Sequence, residues 1–94
     1  MQFEFDRLKS EANKRKHGVS LEEATQIWQE AYLEIPAKTV DEPRLMSIGR
    51  IRGKLFACIY AIRSESIRLI CCRRAREKEV QLYYDYLKEK VSEG

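Results

Sequence analysis

Residues 44–74, RLMSIGRIRGKLFACIYAIRSESIRLICCRR, decide the fold. They divide into three strand-like runs, Arg44 to Ile51, Lys54 to Ile62 and Ser66 to Arg74, rich in β-branched and aromatic residues. Only Arg52-Gly53 separates the first two, and only Arg63-Ser64-Glu65 the next two. Gaps this short accommodate hairpin turns, so the runs pair antiparallel. Leu55-Phe56-Ala57-Cys58-Ile59-Tyr60 is apolar at both parities, which suits a central strand covered on both faces. Alternation in the last run predicts Ile67, Leu69 and Cys71 on the helix-facing side, and Arg68, Ile70, Cys72 and Arg74 on the more open side. On that face Arg68 and Arg74 stand roughly 20 Å apart at about 3.3 Å per residue, spaced to follow several nucleotides rather than grip one phosphate. Arg73 has the opposite parity, at a strand end where a bulge can redirect it.

Outward from this core, Phe3 and Phe5 alternate with polar neighbours as a short strand, and Asp6 is placed to N-cap a helix running to about His17. Gly18 supplies the left-handed position that ends it, and Ser20 with Glu23 forms the capping box of a second helix. Leu21, Ala24, Ile27 or Trp28, and Ala31 give that helix an apolar stripe. Tyr32 to Ile35 reads as a strand ended by Pro36, and Ala37 to Pro43 as a polar connection. Ala75 to Val91 returns to helical spacing through Val80, Tyr84, Leu87 and Val91. The expectation is an α+β fold: an antiparallel sheet of three to five strands, two N-terminal helices and a C-terminal helix, in a single domain over residues 1–94.

With 44% hydrophobic and 35% charged residues in 94, the chain can support a core and is not of the disordered class. Cys58, Cys71 and Cys72 show neither a disulfide framework nor CxxC spacing beside histidine, and read as inert buried thiols. The longest uncharged apolar run, Leu55 to Ile62, is far shorter than the roughly 20 residues of a membrane helix, and MQFEFDRLKS lacks the apolar segment of a secretory signal. A cytoplasmic address and no membrane partner are expected.

Charge is strongly partitioned. Residues 1–43 hold six Lys or Arg against nine Asp or Glu, and residues 77–94 three against five. Between them Arg44, Arg50, Arg52, Lys54, Arg63, Arg68, Arg73, Arg74 and Arg76 face one acid, Glu65. Eight of the nine are Arg, whose forked guanidinium suits phosphate, so the block reads as a polyanion surface. The plainer reading is a basic edge that opposes sheet aggregation or receives an acidic partner.

Phe3-Glu4-Phe5-Asp6, Asn13, the run Lys16-His17-Gly18-Val19-Ser20-Leu21-Glu22-Glu23-Ala24, Arg44 with Ile48-Gly49, Ile67-Arg68-Leu69-Ile70, and Arg73-Arg74-Ala75 with Glu79 follow one another along nearly the whole chain. This series resembles the BrnT toxins of bacterial type II toxin–antitoxin pairs. It departs from them at Phe5, Ala61 and Cys71-Cys72. The resemblance implies a fold like that of RelE and ParE toxins and an RNA-cleaving activity that arrests translation. It also implies neutralisation by a BrnA-like antitoxin, through which alone operator DNA would be engaged.

Cleaving RNA without a metal requires a base for the 2′-hydroxyl proton, cations for the phosphorane-like transition state and an acid for the leaving 5′-oxygen. No acidic pair has ligand spacing, so neither metal nor cofactor is expected. His17, the sole histidine, is the proton-transfer candidate; the competing reading is a residue that completes the helix C-terminus. Arg68, Arg73 and Arg74 are the candidate phosphate and transition-state ligands, with Lys16, Arg44, Arg50 and Arg76 as further RNA contacts and Glu79 orienting an Arg. Tyr83, Tyr84 and Tyr86 read first as packing residues and second as a base-stacking platform. Two rivals share these residues: a noncatalytic basic module binding RNA or an acidic partner, and a ParE-like gyrase inhibitor.

Overall fold

The computed structural model describes residues 2–38 and 42–93, the side chains of 92 and 93 excepted. Its elements are β1 (Gln2–Glu4), α1 (Arg7–His17), α2 (Leu21–Ala24) running into a 3₁₀ helix (Thr25–Gln29), β2 (Leu33–Pro36), β3 (Leu45–Ile51), β4 (Lys54–Arg63), β5 (Ser66–Arg74) and α3 (Glu77–Glu93). The strands form one sheet in the order β1-β5-β4-β3-β2. Residues 39–41 of the polar connection lie outside the described residues.

The local signals act as their chemistry requires. The Asp6 carboxylate accepts from the Leu8 and Lys9 backbone N–H groups, Gly18 ends α1 at φ 83°, and Ser20 and Glu23 close a reciprocal capping box. Arg52 and Gly53 both take positive φ, 51° and 81°, as a tight turn whose twist matches the flanking strands requires. The hairpins β3–β4 and β4–β5 are antiparallel, with β4 at the centre of the sheet. On one face of β4, Phe56, Cys58 and Tyr60 join Val19, Leu21, Ala24 and Ile27; on the other, Leu55 and Ala57 join Tyr83 of α3.

Five expectations are corrected. The sheet is mixed, because β1 pairs parallel with β5, Phe3 opposite Ile67. Tight turns impose antiparallel pairing only on the strands they join, and β1 and β5 are connected through the rest of the fold. The second helix keeps α geometry only to Ala24. The Thr25 hydroxyl donates to the Glu22 carbonyl at 2.8 Å, and the chain tightens into a 3₁₀ helix that still buries Ile27 completely.

On α3 the buried tyrosine is Tyr83, flanked by Val80 and Leu87, whereas Tyr84 is 41% and Val91 80% exposed. The helix also begins only at Glu77. The largest correction is in β5. Ile59 pairs with Cys71 but Tyr60 pairs with Leu69, leaving Ile70 unpaired as a bulge. One extra residue exchanges the faces of everything after it. Cys72 and Arg74 therefore join Ile67 and Leu69 on the α1 side, and Cys71 and Arg73 join Arg68 on the α3 side.

Gly49 of β3 lies where the 3₁₀ helix comes closest. A Cβ there would stand 2.8 Å from Ile27 Cγ2 and 3.3 Å from both the Ile27 carbonyl oxygen and Tyr32 Cβ. Gly49→Ala is expected to destabilise the protein by about 1–3 kcal/mol through overpacking. A denaturant midpoint equal to the parent's would contradict this.

Candidate functional site

Because β5 runs antiparallel to β4, its C-terminus finishes opposite Phe56, beside the β3–β4 turn. The last turn of α1, with Lys14, Arg15, Lys16 and His17, ends there too. His17, Gly18, Ile51, Arg52, Lys54, Phe56 and Arg74 together line a cleft of about 340 Å³ that contains no carboxylate.

Asn13 sets the position of His17, one helical turn before it. Its side-chain amide donates to the Val19 carbonyl at 2.7 Å and the Cys72 carbonyl at 2.8 Å, and its oxygen accepts from the Cys72 N–H at 3.0 Å. The buried side chain thus fastens α1 to β5 two residues before Arg74. Ser10 adds a second buried tie by accepting from the Leu21 N–H at 2.9 Å.

The opposite wall is held by Glu23. Its carboxylate takes Lys14 Nζ at 2.7 Å, the Ser20 N–H at 2.9 Å and an Arg52 guanidinium N–H. Arg52 also donates to the Gly18 carbonyl at 3.4 Å. The Lys14, Ser20 and Arg52 hydrogen bonds, in that order, hold the Glu23 carboxyl down to about 2.

A carboxylate depressed on folding contributes stability above the unfolded value near 4.5, and that contribution disappears as pH falls through about 2. Between pH 5 and 2 the loss of stability should therefore be shallower in Glu23→Gln than in the parent. Parallel pH profiles of the denaturation midpoint would contradict the assignment.

The cleft unites only part of the residues singled out in the sequence. His17 and Arg74 line it together, and the Arg74 guanidinium lies over the Phe56 ring, 5.6 Å from its centroid. Arg73 points to the opposite face, where Glu79 grips it through two bonds of 2.8 and 2.9 Å. This pairing raises the Arg73 pKa and lowers that of Glu79, whose carboxylate also accepts the Arg76 N–H at 2.7 Å.

Arg50 sits on the α3 side of the same end, donating to the Tyr84 hydroxyl at 2.8 Å and the Gly53 carbonyl at 3.0 Å. Arg76 and Lys16 are exposed at this end. Arg68 is at the other end of β5, 3.9 Å from Glu4, and Arg44 stands before β3 at that same far end with a buried Nε that makes no hydrogen bond. Arg68 and Arg74 thus share neither face nor end.

Within the basic block the sequence alone does not set Arg52 and Lys54 apart. Their signal was position: both flank Gly53 in the turn that the hairpin pairing carries to the C-terminal end of β5. The three thiols are free, Cys58 and Cys72 buried and Cys71 half-buried. Hydrogen bonding to Cys72, then burial, pushes the Cys58 thiol well up. Among the described residues, no helix is long and apolar enough to cross a membrane.

A family model described as a ribonuclease toxin, BrnT, of type II toxin–antitoxin systems matches residues 5–79, from the end of β1 into the first turn of α3. A search of curated proteins gave no match to the chain.

Proposed function

The chain belongs to the family of BrnT ribonuclease toxins of type II toxin–antitoxin systems, and from that premise we propose that it is a metal-independent endoribonuclease acting in the His17 cleft. The family implies an RNA substrate and an antitoxin partner. The observation that supports this placement is the convergence of the only imidazole with Arg52, Lys54 and Arg74 around a cavity free of carboxylates.

In this reading His17 takes the proton of a ribose 2′-hydroxyl, whose oxygen attacks the adjacent phosphorus. Lys54 and Arg74 meet the charge that accumulates on the phosphoryl oxygens. The bond to the 5′-oxygen breaks as that oxygen takes a proton from water, leaving a 2′,3′-cyclic phosphate and a 5′-hydroxyl. Arg73, neutralised by Glu79, supports the end of β5 from behind instead of meeting substrate, and Arg68 and Arg44 extend the basic surface at the far end.

The partner we propose is a BrnA-like antitoxin that excludes RNA from the basic end and alone contacts operator DNA, with both proteins in the cytoplasm. A helical pair preceding three antiparallel strands also supports kinship with RelE and ParE toxins.

The test is incubation of pure protein with labelled single-stranded RNA in excess chelator. Products ending in cyclic phosphate are expected. A mobility shift without products would replace the enzyme by a binding module, and inhibition of gyrase supercoiling without RNA cleavage would favour the ParE-like activity.

A further inference from the structure

We propose that Arg74 is a stacking platform for an unpaired nucleobase, so that the cleft recognises single-stranded RNA by a base face as well as by phosphate charge. The proposal rests on the ribonuclease reading above and concerns how that site selects its substrate.

Three other arginines around this end, among them Arg52, which shares the cleft lining with Arg74, already have polar partners. Arg73 is gripped by Glu79, Arg50 is held by the Tyr84 hydroxyl and the Gly53 carbonyl, and Arg52 is held by Glu23 and the Gly18 carbonyl. Arg74 differs. Among the described residues its guanidinium makes no hydrogen bond or ion pair, and its partner is the Phe56 ring. Phe56 is 5% exposed and locked in the core cluster, so the surface beneath the guanidinium is rigid, while Arg74 itself is exposed.

A guanidinium is planar and weakly hydrated. With its carbon 5.6 Å from an aromatic centroid on one side, it can turn its plane outward as a flat cationic surface of the kind on which bases stack. The neighbouring walls fit this role. Gly18 presents no side chain, and the exposed Lys54 supplies a compact charge for a flanking phosphate. Inside a duplex both faces of a base are covered by its neighbours, so only loops, ends and single strands can offer one.

The test uses a short 2′-O-methyl oligonucleotide, which cannot form the cyclic phosphate, with a central 2-aminopurine whose emission reports stacking. Binding is measured for the parent, Arg74→Lys and Arg74→Ala, each checked for an unchanged melting curve, and for the same oligonucleotide annealed to its complement. The parent should bind the single strand in preference to the duplex, with a change in emission. Arg74→Lys, which keeps the charge but not the plane, should lose that change and about 10-fold in affinity, close to the loss in Arg74→Ala. Parental affinity and emission in Arg74→Lys would overturn stacking while leaving the nuclease site standing. Failure of the parent to bind the single strand would overturn both.

Discussion

His17→Ala is expected to lower the single-turnover cleavage rate roughly 100-fold or more, the usual scale for a lost acid or base, with RNA affinity little changed. The expectation comes from the place of the imidazole in the lining of the cleft, with Arg74 and Lys54 among the other lining residues. A role confined to ending α1 makes a different prediction, because a favourable side-chain interaction at a helix C-terminus is worth about 0.3–2 kcal/mol of stability and nothing in rate per folded molecule. Thermal unfolding and single-turnover cleavage on one preparation separate the two. Full specific activity with a lowered melting temperature would remove His17 from catalysis, and water or Lys16 would then have to move the proton.

Asn13→Ala should produce the largest loss of stability, about 3 kcal/mol or more. Its side chain satisfies two buried carbonyls and one buried N–H across Val19 and Cys72. Alanine leaves those three groups without partners in a space closed to bulk water, at about 1–3 kcal/mol for each group that stays unsatisfied. Against a total of about 5–15 kcal/mol for a typical domain, this is enough to populate the unfolded state. Urea denaturation followed by fluorescence of Trp28 measures it. A loss under 1 kcal/mol would show that Asn13 does not fasten α1 to β5. Because His17 follows within one turn, variants that remain folded should also lose cleavage rate.

The parts of the fold legible in the sequence are those whose causes lie within a few residues. Asp6, Gly18 and the Ser20–Glu23 pair bound the helices through bonds between near neighbours, and Arg52-Gly53 takes a positive-φ geometry that closes a two-residue turn. The burial of β4 on both faces follows from its apolar run alone, and the basic block is a matter of composition. His17 and Arg74 could be named as candidates on chemical character, but nothing between positions 17 and 74 states that they share a cavity.

That juxtaposition was decided by tertiary structure. β1 runs parallel to β5 because no turn joins them, so their relative direction is set by packing of the intervening chain. The bulge at Ile70 arises from pairing with β4, where the neighbours Ile59 and Tyr60 take partners two residues apart, Cys71 and Leu69, and leave Ile70 between them. β5 read alone alternates regularly, which puts Arg68 and Arg74 on one face. The slip turns Arg74 toward Phe56 and the end of α1, and sends Arg73 to Glu79 on the other side. Strand, turn and helix were written in local spacing; which arginine meets the imidazole depended on a register that exists only between strands.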